Sequence, residues 1–248
     1  MNSDSGELPL GVLAFGDSIT NGGGELQWGL ALQSWALWVA RGLGLPFTVY
    51  AVDGADARHV VEWQIPAFQS LSAHPAARYE LGCLYIGVND VRSADYDLGR
   101  FRRDYATALE FLTSRCDRTL TLTAPLDLGR PRAGAKVRDL NAAIEDVAGK
   151  LGALVLDLRS FGSRDLVMAD HVHPTALGQV AIAELALARL ERDGMRTAVQ
   201  PSSLISLQKT RWGRVRGDLT YAYRSAKVSA SVAQRLRSLR AGDRRARP

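Results

Sequence analysis

The sequence predicts an α/β protein, a three-layer α/β/α sandwich built on a five-stranded parallel sheet. Three observations point there. Five short apolar runs recur along the chain, each stopped by glycine, proline or a polar turn. Segments with helical spacing alternate with them, the signature of strand–helix–strand units and a parallel sheet. The most polar motifs fall directly after predicted strands, where open parallel sheets bind ligands.

The first strand is Leu8–Phe15, closed by Gly16-Asp17-Ser18. Leu30–Leu43 has helical spacing through Trp35, Trp38, Val39 and Leu43, and Gly44 and Pro46 end it. Phe47–Val52 is the second strand. Ala57–Trp63 is a weaker helix, expected to break near Pro66. Leu81–Ile86 is the third strand, ending at Gly87, and Leu98–Leu112 is a helix with Phe101, Tyr105, Leu109 and Leu112 near one face. Leu120–Ala124 is a strand stopped by Pro125. Lys136–Leu151 is a helix, Leu154–Leu158 the fifth strand, and Thr175–Leu190 the last helix.

At 248 residues the chain suits one or two domains, and 46% apolar with 23% charged residues fits a globular protein. Residues 1–9 lack the basic-then-apolar layout of a signal peptide, and no run approaches the ~18 apolar residues of a membrane span. A cytoplasmic location is the expectation. Cys83 and Cys116 are too few for a disulfide framework and read as buried free thiols. The net charge of +5 is uneven: residues 200–248 carry 12 Lys and Arg against 2 Asp and Glu, whereas 1–199 is net acidic. The expected organisation is a catalytic domain over 1–199 and a basic extension over 200–248.

Three polar clusters carry chemistry. Gly16-Asp17-Ser18-Ile19-Thr20 places a serine where a strand turns into a helix, exposed as a nucleophile or serving as a helix cap. Gly87-Val88-Asn89-Asp90 follows the third strand; Asn89 either donates into the crevice or belongs to a turn. In Asp170-His171-Val172-His173-Pro174, an Asp three residues before a His can fix its tautomer and orientation, as a triad carboxylate does. His171 reads as solvent-facing or packed, and sharing a metal with His173 is the minor alternative.

Together the clusters resemble the SGNH hydrolases, the GDSL esterases and lipases. Their four blocks occur in order here: Gly16-Asp17-Ser18, Gly54, Gly87-x-Asn89-Asp90 and Asp170-x-x-His173. The resemblance spans residues 10–192 and implies their flavodoxin-like sheet. It implies that His173 takes the Ser18 proton while Asp170 orients the imidazole. It further implies an oxyanion hole of the Ser18 and Gly54 amides and the Asn89 side chain. No metal or redox cofactor is implied. The block around Gly54 is thin, one glycine in Ala51–Asp56.

Other sites fit less well. The elbow G-x-S-x-G is absent, no GxxxxGK[ST] occurs, and four histidines are few for a metallophosphoesterase. Within the superfamily, hydrolase and transferase share chemistry until deacylation. The glycine-rich loop 22–29 with Trp28, followed by Trp35 and Trp38, offers groups suited to sugar or acyl contacts, although Trp35 and Trp38 read better as core. The stretch AFGDSITNGGGELQWGLALQSWALWVARGLGLP, which follows Leu13, resembles the diglucosylglycerate octanoyltransferases. That resemblance implies octanoyl transfer, with an acyl-CoA as co-substrate, to a sugar hydroxyl of diglucosylglycerate in methylglucose lipopolysaccharide synthesis. The alternative is an esterase acting on short to medium acyl esters. In the extension, Val228, Val232, Leu236 and Leu239 recur at helical spacing among arginines. That stretch either packs on the domain or makes weak contact with an anionic membrane surface. A nucleic-acid-binding protein led by this segment is the remaining rival, and no nucleic-acid partner is expected. The expected partners are a small acyl donor and a sugar acceptor.

Overall fold

The computed structural model describes residues 10–205 apart from 28–29, 72–77 and 130–132, together with 222–223 and 226–227. Five parallel strands form one sheet: β1 Val12–Gly16, β2 Phe47–Val49, β3 Tyr79–Tyr85, β4 Cys116–Leu122 and β5 Leu154–Leu156. Their order is β2-β1-β3-β4-β5. Successive crossovers therefore leave β1 in opposite directions, which opens a crevice between the carboxyl ends of β1 and β3. Val12, Leu13, Ala14 and Phe15 of β1 are fully buried. A central parallel strand is covered on both faces, so its residues form an unbroken apolar run rather than an alternation.

Helices cover both faces. On one, α2 (Trp35–Leu43) packs on α8 (Ala176–Glu191). Elsewhere α6 (Leu98–Arg115) packs on α7 (Lys136–Leu151) and on the helix running from α3 (Ala57–His59) to α4 (Ile65–Leu71). Two short helices lie at the crevice, α1 (Ser18–Asn21) after β1 and α5 (Val88–Arg92) after β3. Phe15 packs with Tyr50, Phe68 and Phe111 to anchor the core.

Several boundaries differ from the sequence reading. Helix α2 starts at Trp35 rather than Leu30, because the Ser34 hydroxyl accepts the Leu37 N–H at 3.1 Å and caps it there. The second strand stops at Val49. Pro66 does not break its helix. Val60–Gln64 forms a π-helical turn in which the Ile65 N–H reaches back to the Val60 carbonyl, and the chain continues helical to Leu71. The wider turn re-registers the hydrogen bonds just before the residue that has no N–H to give. Strand β4 begins at Cys116, under Asp117, Arg118 and Thr119, whose polarity hides it from a search for apolar runs. Helix α5 follows Gly87, which adopts φ +117°.

Cys83 and Cys116 are free and buried. Past α8 the described chain stays attached: the Ala198 N–H donates to the Gly42 carbonyl, Ser202 N–H to Glu184 Oε1, and Pro201 is buried. No described helix is long and apolar enough to cross a membrane. The amphipathic stretch read over 228–239 and the segment 241–248 lie outside the described residues, as does Trp28.

Candidate active site

Ser18 opens α1, held by backbone clamps. Gln64, buried in the π-helical turn, pairs with both polar groups of Gly16: its Oε1 accepts the Gly16 N–H at 3.0 Å and its Nε2 donates to the Gly16 carbonyl at 2.7 Å. A Cβ at Gly16 would meet the Tyr85 carbonyl oxygen at 2.5 Å, so only glycine lets β1 and β3 close here. From the other side, Gln179 of α8 donates to the carbonyls of Ile19 and Gly23 and accepts the Trp35 N–H. Both amides are bonded through oxygen and nitrogen inside apolar surroundings, which fixes the serine turn without a charge.

Asp17 caps α1 through the Ile19 N–H at 2.9 Å and is 1% exposed. Burial pushes its carboxyl up to about 7, against the opposing pull of the Ile19 bond and of His173.

His173 arrives from the loop before α8. Its Nε2 lies 2.9 Å from Ser18 Oγ, and its Nδ1 lies 2.7 Å from Asp170 Oδ2. The second carboxylate oxygen of Asp170 accepts the N–H groups of Val172 and His173 at 2.9 and 3.0 Å. Burial pushes the Asp170 carboxyl up, but the His173 bond and these backbone donors outweigh it and hold the group below its usual range. The hydrogen bond from Asp170 raises the imidazole of His173 above its ordinary value, with burial opposing. The three side chains thus form one continuous chain, with the imidazole 31% exposed at its centre. The arrangement can carry a proton from a serine hydroxyl to a base that a carboxylate steadies.

The other two expected residues lie across the crevice. Asn89 Nδ2 donates to the Ala55 carbonyl at 2.9 Å, which leaves its second N–H for another acceptor. Gly54 stands at φ +78° in the turn joined to this carbonyl, and a Cβ there would meet nothing within 4 Å. Its requirement is backbone conformation, not space. The turn is tied to α1 by Asn21 Nδ2 on Asp53 at 2.9 Å, and to α5 by Asp90, whose carboxylate accepts the Ala57 N–H.

His171 does not join His173. Its Nδ1 pairs with Asp127 at 3.0 Å, and its backbone takes φ +59°. Trp35 and Trp38 are core residues, 0% and 4% exposed, and offer the site no contact surface. Among the described residues no group of three or more His, Cys, Asp or Glu side chains is placed to hold a metal ion.

A cavity of about 320 Å³ lies between the loops after β4 and β5 and the loop that carries Asp170 and His173, and neither Ser18 nor His173 lines it. Ile19, Tyr85, Val172, Pro174 and Ile182 line its apolar part, and Asp127, Ser163 and His171 add polar groups. Gln64, Gln179 and Asp127 were missed from sequence. For Gln179 a signal existed: it is a lone amide in the apolar run of α8.

A family model described as the GDSL-like Lipase/Acylhydrolase family matches residues 14–181. No curated protein matches the chain. Among solved structures, it is similar to a member of the lipolytic G-D-S-L family from Veillonella parvula, at 22% identity and a TM-score of 0.59, over 73% of this chain and 98% of that one. It is similar to a lipase/acylhydrolase from Enterococcus faecalis at 17% identity and a TM-score of 0.57, over 75% and 98%. A third likeness is to an acetylxylan esterase from Geobacillus stearothermophilus, at 19% identity and a TM-score of 0.54, over 77% and 96%. At these identities the structures establish the fold.

Proposed function

Because this chain belongs to the GDSL-like lipase/acylhydrolase family, we propose that it is a serine acyl enzyme that moves an octanoyl group from an acyl-CoA to a sugar hydroxyl of diglucosylglycerate. The observation that carries the acyl chemistry is the unbroken hydrogen-bonded chain Ser18–His173–Asp170. As Ser18 Oγ attacks the thioester carbonyl carbon, its proton passes to His173 Nε2, and Asp170 steadies the imidazolium. The oxyanion is held by the amides of Ser18 and Gly54 and by the free N–H of Asn89. The thiolate leaves with the proton from His173, and the acyl group stays on Ser18. A sugar hydroxyl then gives its proton to His173 as its oxygen attacks the acyl carbon, and the imidazolium returns that proton to Ser18 Oγ as the acyl–serine bond breaks.

The cavity under the Asp170–His173 loop supports a medium acyl group. At about 320 Å³ it stands at the small end of ligand pockets, about 300–1,000 Å³. Ser18 and His173 do not line it, but their chain neighbours Ile19, Val172 and Pro174 do. The resemblance of the segment after Leu13 to sugar octanoyltransferases supports the acceptor.

Hydrolysis is the second reading, favoured by the family's description and by esterase and lipolytic structures of the same fold. The difference lies in what attacks the acyl-enzyme. Water stands at ~55 M, so an acceptor must be bound and oriented for its effective molarity to win. The experiment supplies octanoyl-CoA with and without diglucosylglycerate, following free CoA and octanoylated product by mass spectrometry. Slow CoA release alone, accelerated by the acceptor with the acyl group on sugar, is the expected result. Free octanoate released at a rate indifferent to acceptor means a hydrolase. Ser18→Ala should remove either activity.

A further inference from the structure

Arg92 closes α5, one helical turn after Asn89, so the two side chains share a face of that helix. Its guanidinium is half-buried, and no described residue offers it a hydrogen bond or an ion pair. Lack of a partner does not by itself set it apart, since Arg189 of α8 is also half-buried with no hydrogen bond or ion pair from a described residue, whereas some surface arginines are paired. Arg58, Arg100, Arg118 and Arg159 each pair with a carboxylate. A guanidinium that has lost much of its water normally recovers the loss through a carboxylate or a carbonyl. Arg92 has no such partner among the described residues and its nitrogens stay open to solvent, so what distinguishes it is its place near His173 and Asp170. Its charge acts on both Asp170 and His173, without a bond to either.

We propose that Arg92 is an anion subsite of the acyl site, taking a carboxylate or phosphate group of the substrate next to the reacting ester. This rests on the Ser18 acyl chemistry proposed above, and holds whether water or sugar receives the acyl group. The planar fork of the guanidinium suits a two-oxygen anion, which it grips through parallel N–H bonds. Its place after Asn89 puts that grip on the oxyanion side of the crevice. A bound anion would also supply a partner that no described residue offers the side chain. The anion has two sources by chemistry: a carboxylate on the alcohol side of the ester, or a phosphate on the thiol side of the donor.

The competing role for Arg92 is to offset the charge of nearby carboxylates. That role treats charged and neutral substrates alike, so a ratio separates the two.

The test uses the full chain and two substrate pairs. One pair is octanoyl glycerate against octanoyl glycerol. The other is octanoyl-CoA against octanoyl-N-acetylcysteamine. Wild type should favour the anionic member of at least one pair in kcat/KM. In Arg92→Gln the anionic-to-neutral ratio for that pair should fall roughly 10- to 100-fold, the size of losing a charge-assisted hydrogen bond. Arg92→Lys should recover part of it, as a point charge without the fork. The pair that responds identifies the source. A wild type that prefers neither anion overturns the proposal, and needs no variant. So do ratios unchanged in Arg92→Gln. Fluorophosphonate labelling of Ser18 on the same preparations reports separately on the acyl chemistry: loss of labelling in wild type would mean that the underlying reading failed, not the subsite.

Discussion

At the scale of single residues, His173 decides most of what can be measured. The bond from Asp170 raises its imidazole, with burial opposing; the charges of Asp170 and Asp17 add to the rise and Arg92 subtracts. The base must be neutral to accept the Ser18 proton, so protonation switches activity off. A raised value displaces the acid limb upward, and kcat/KM should reach half its plateau above pH ~6.5, the ordinary histidine value. A pH profile with an uncharged octanoyl ester checks this; a half-rise below pH 6 would contradict it. His173→Ala should lose roughly 10⁴–10⁶-fold in activity. His171→Ala should lose far less, since His171 pairs with Asp127 and not with the serine. Asn89→Ala should lower kcat by ~10²-fold with a smaller change in KM, as removal of an oxyanion donor does. Because Asn89 also holds the Ala55 carbonyl, the variant should melt slightly earlier.

At the scale of elements, the serine turn depends on amides borrowed from distant helices. Gln64 reaches Gly16 from a helix that crosses a π-turn, and Asn141 of α7 clamps the N–H and carbonyl of Ala124 in the same bidentate way. Replacing either by leucine leaves two buried backbone groups without partners, at about 1–3 kcal/mol each. Gln64→Leu and Asn141→Leu should therefore lose similar stability in urea denaturation. Their kinetics should differ. Gly16 stands two residues before Ser18 and Ala124 does not, so Gln64→Leu should lower kcat more. Equal kinetic losses would place the serine turn under other control. The π-turn also shows why Pro66 misleads a reader of the sequence. Proline forbids an ordinary helical bond, but a wider turn before it removes the demand for that bond.

At the scale of the whole molecule, strand order creates the site. The crevice opens where crossovers diverge between β1 and β3, and it receives Ser18 from one side and Asn89 from the other. The Asp170–His173 loop enters after β5, carried by the fold of α8 onto α2. Charge is distributed unevenly at this scale, with the 12 basic residues of 200–248 set against an acidic remainder. A chain ending at Ile205 should keep Ser18 labelling by a fluorophosphonate, since the described sheet and site lie before that point. It should also show a higher KM for octanoyl-CoA at low ionic strength than the full chain, with the difference vanishing in high salt. A KM that is unchanged at every ionic strength would remove the extension from donor binding.

The sequence by itself determined the parallel α/β class, because buried strands between amphipathic helices leave a periodicity that needs no partner to be seen. It also determined the family, because Gly16-Asp17-Ser18, Gly87-x-Asn89-Asp90 and Asp170-x-x-His173 are local patterns. Helix α7 was legible to the residue, ending as Gly152 adopts φ +68°. Tertiary structure alone decided the rest. That Ser18 Oγ meets His173 Nε2 is a contact across 155 residues. That Gln64 and Gln179 steady the serine depends on which helix faces which strand. That Trp35 is core, that His171 turns to Asp127, and that Arg92 stands without a described partner follow from packing. Local spacing specifies which face a residue takes; only the folded chain specifies what that face meets.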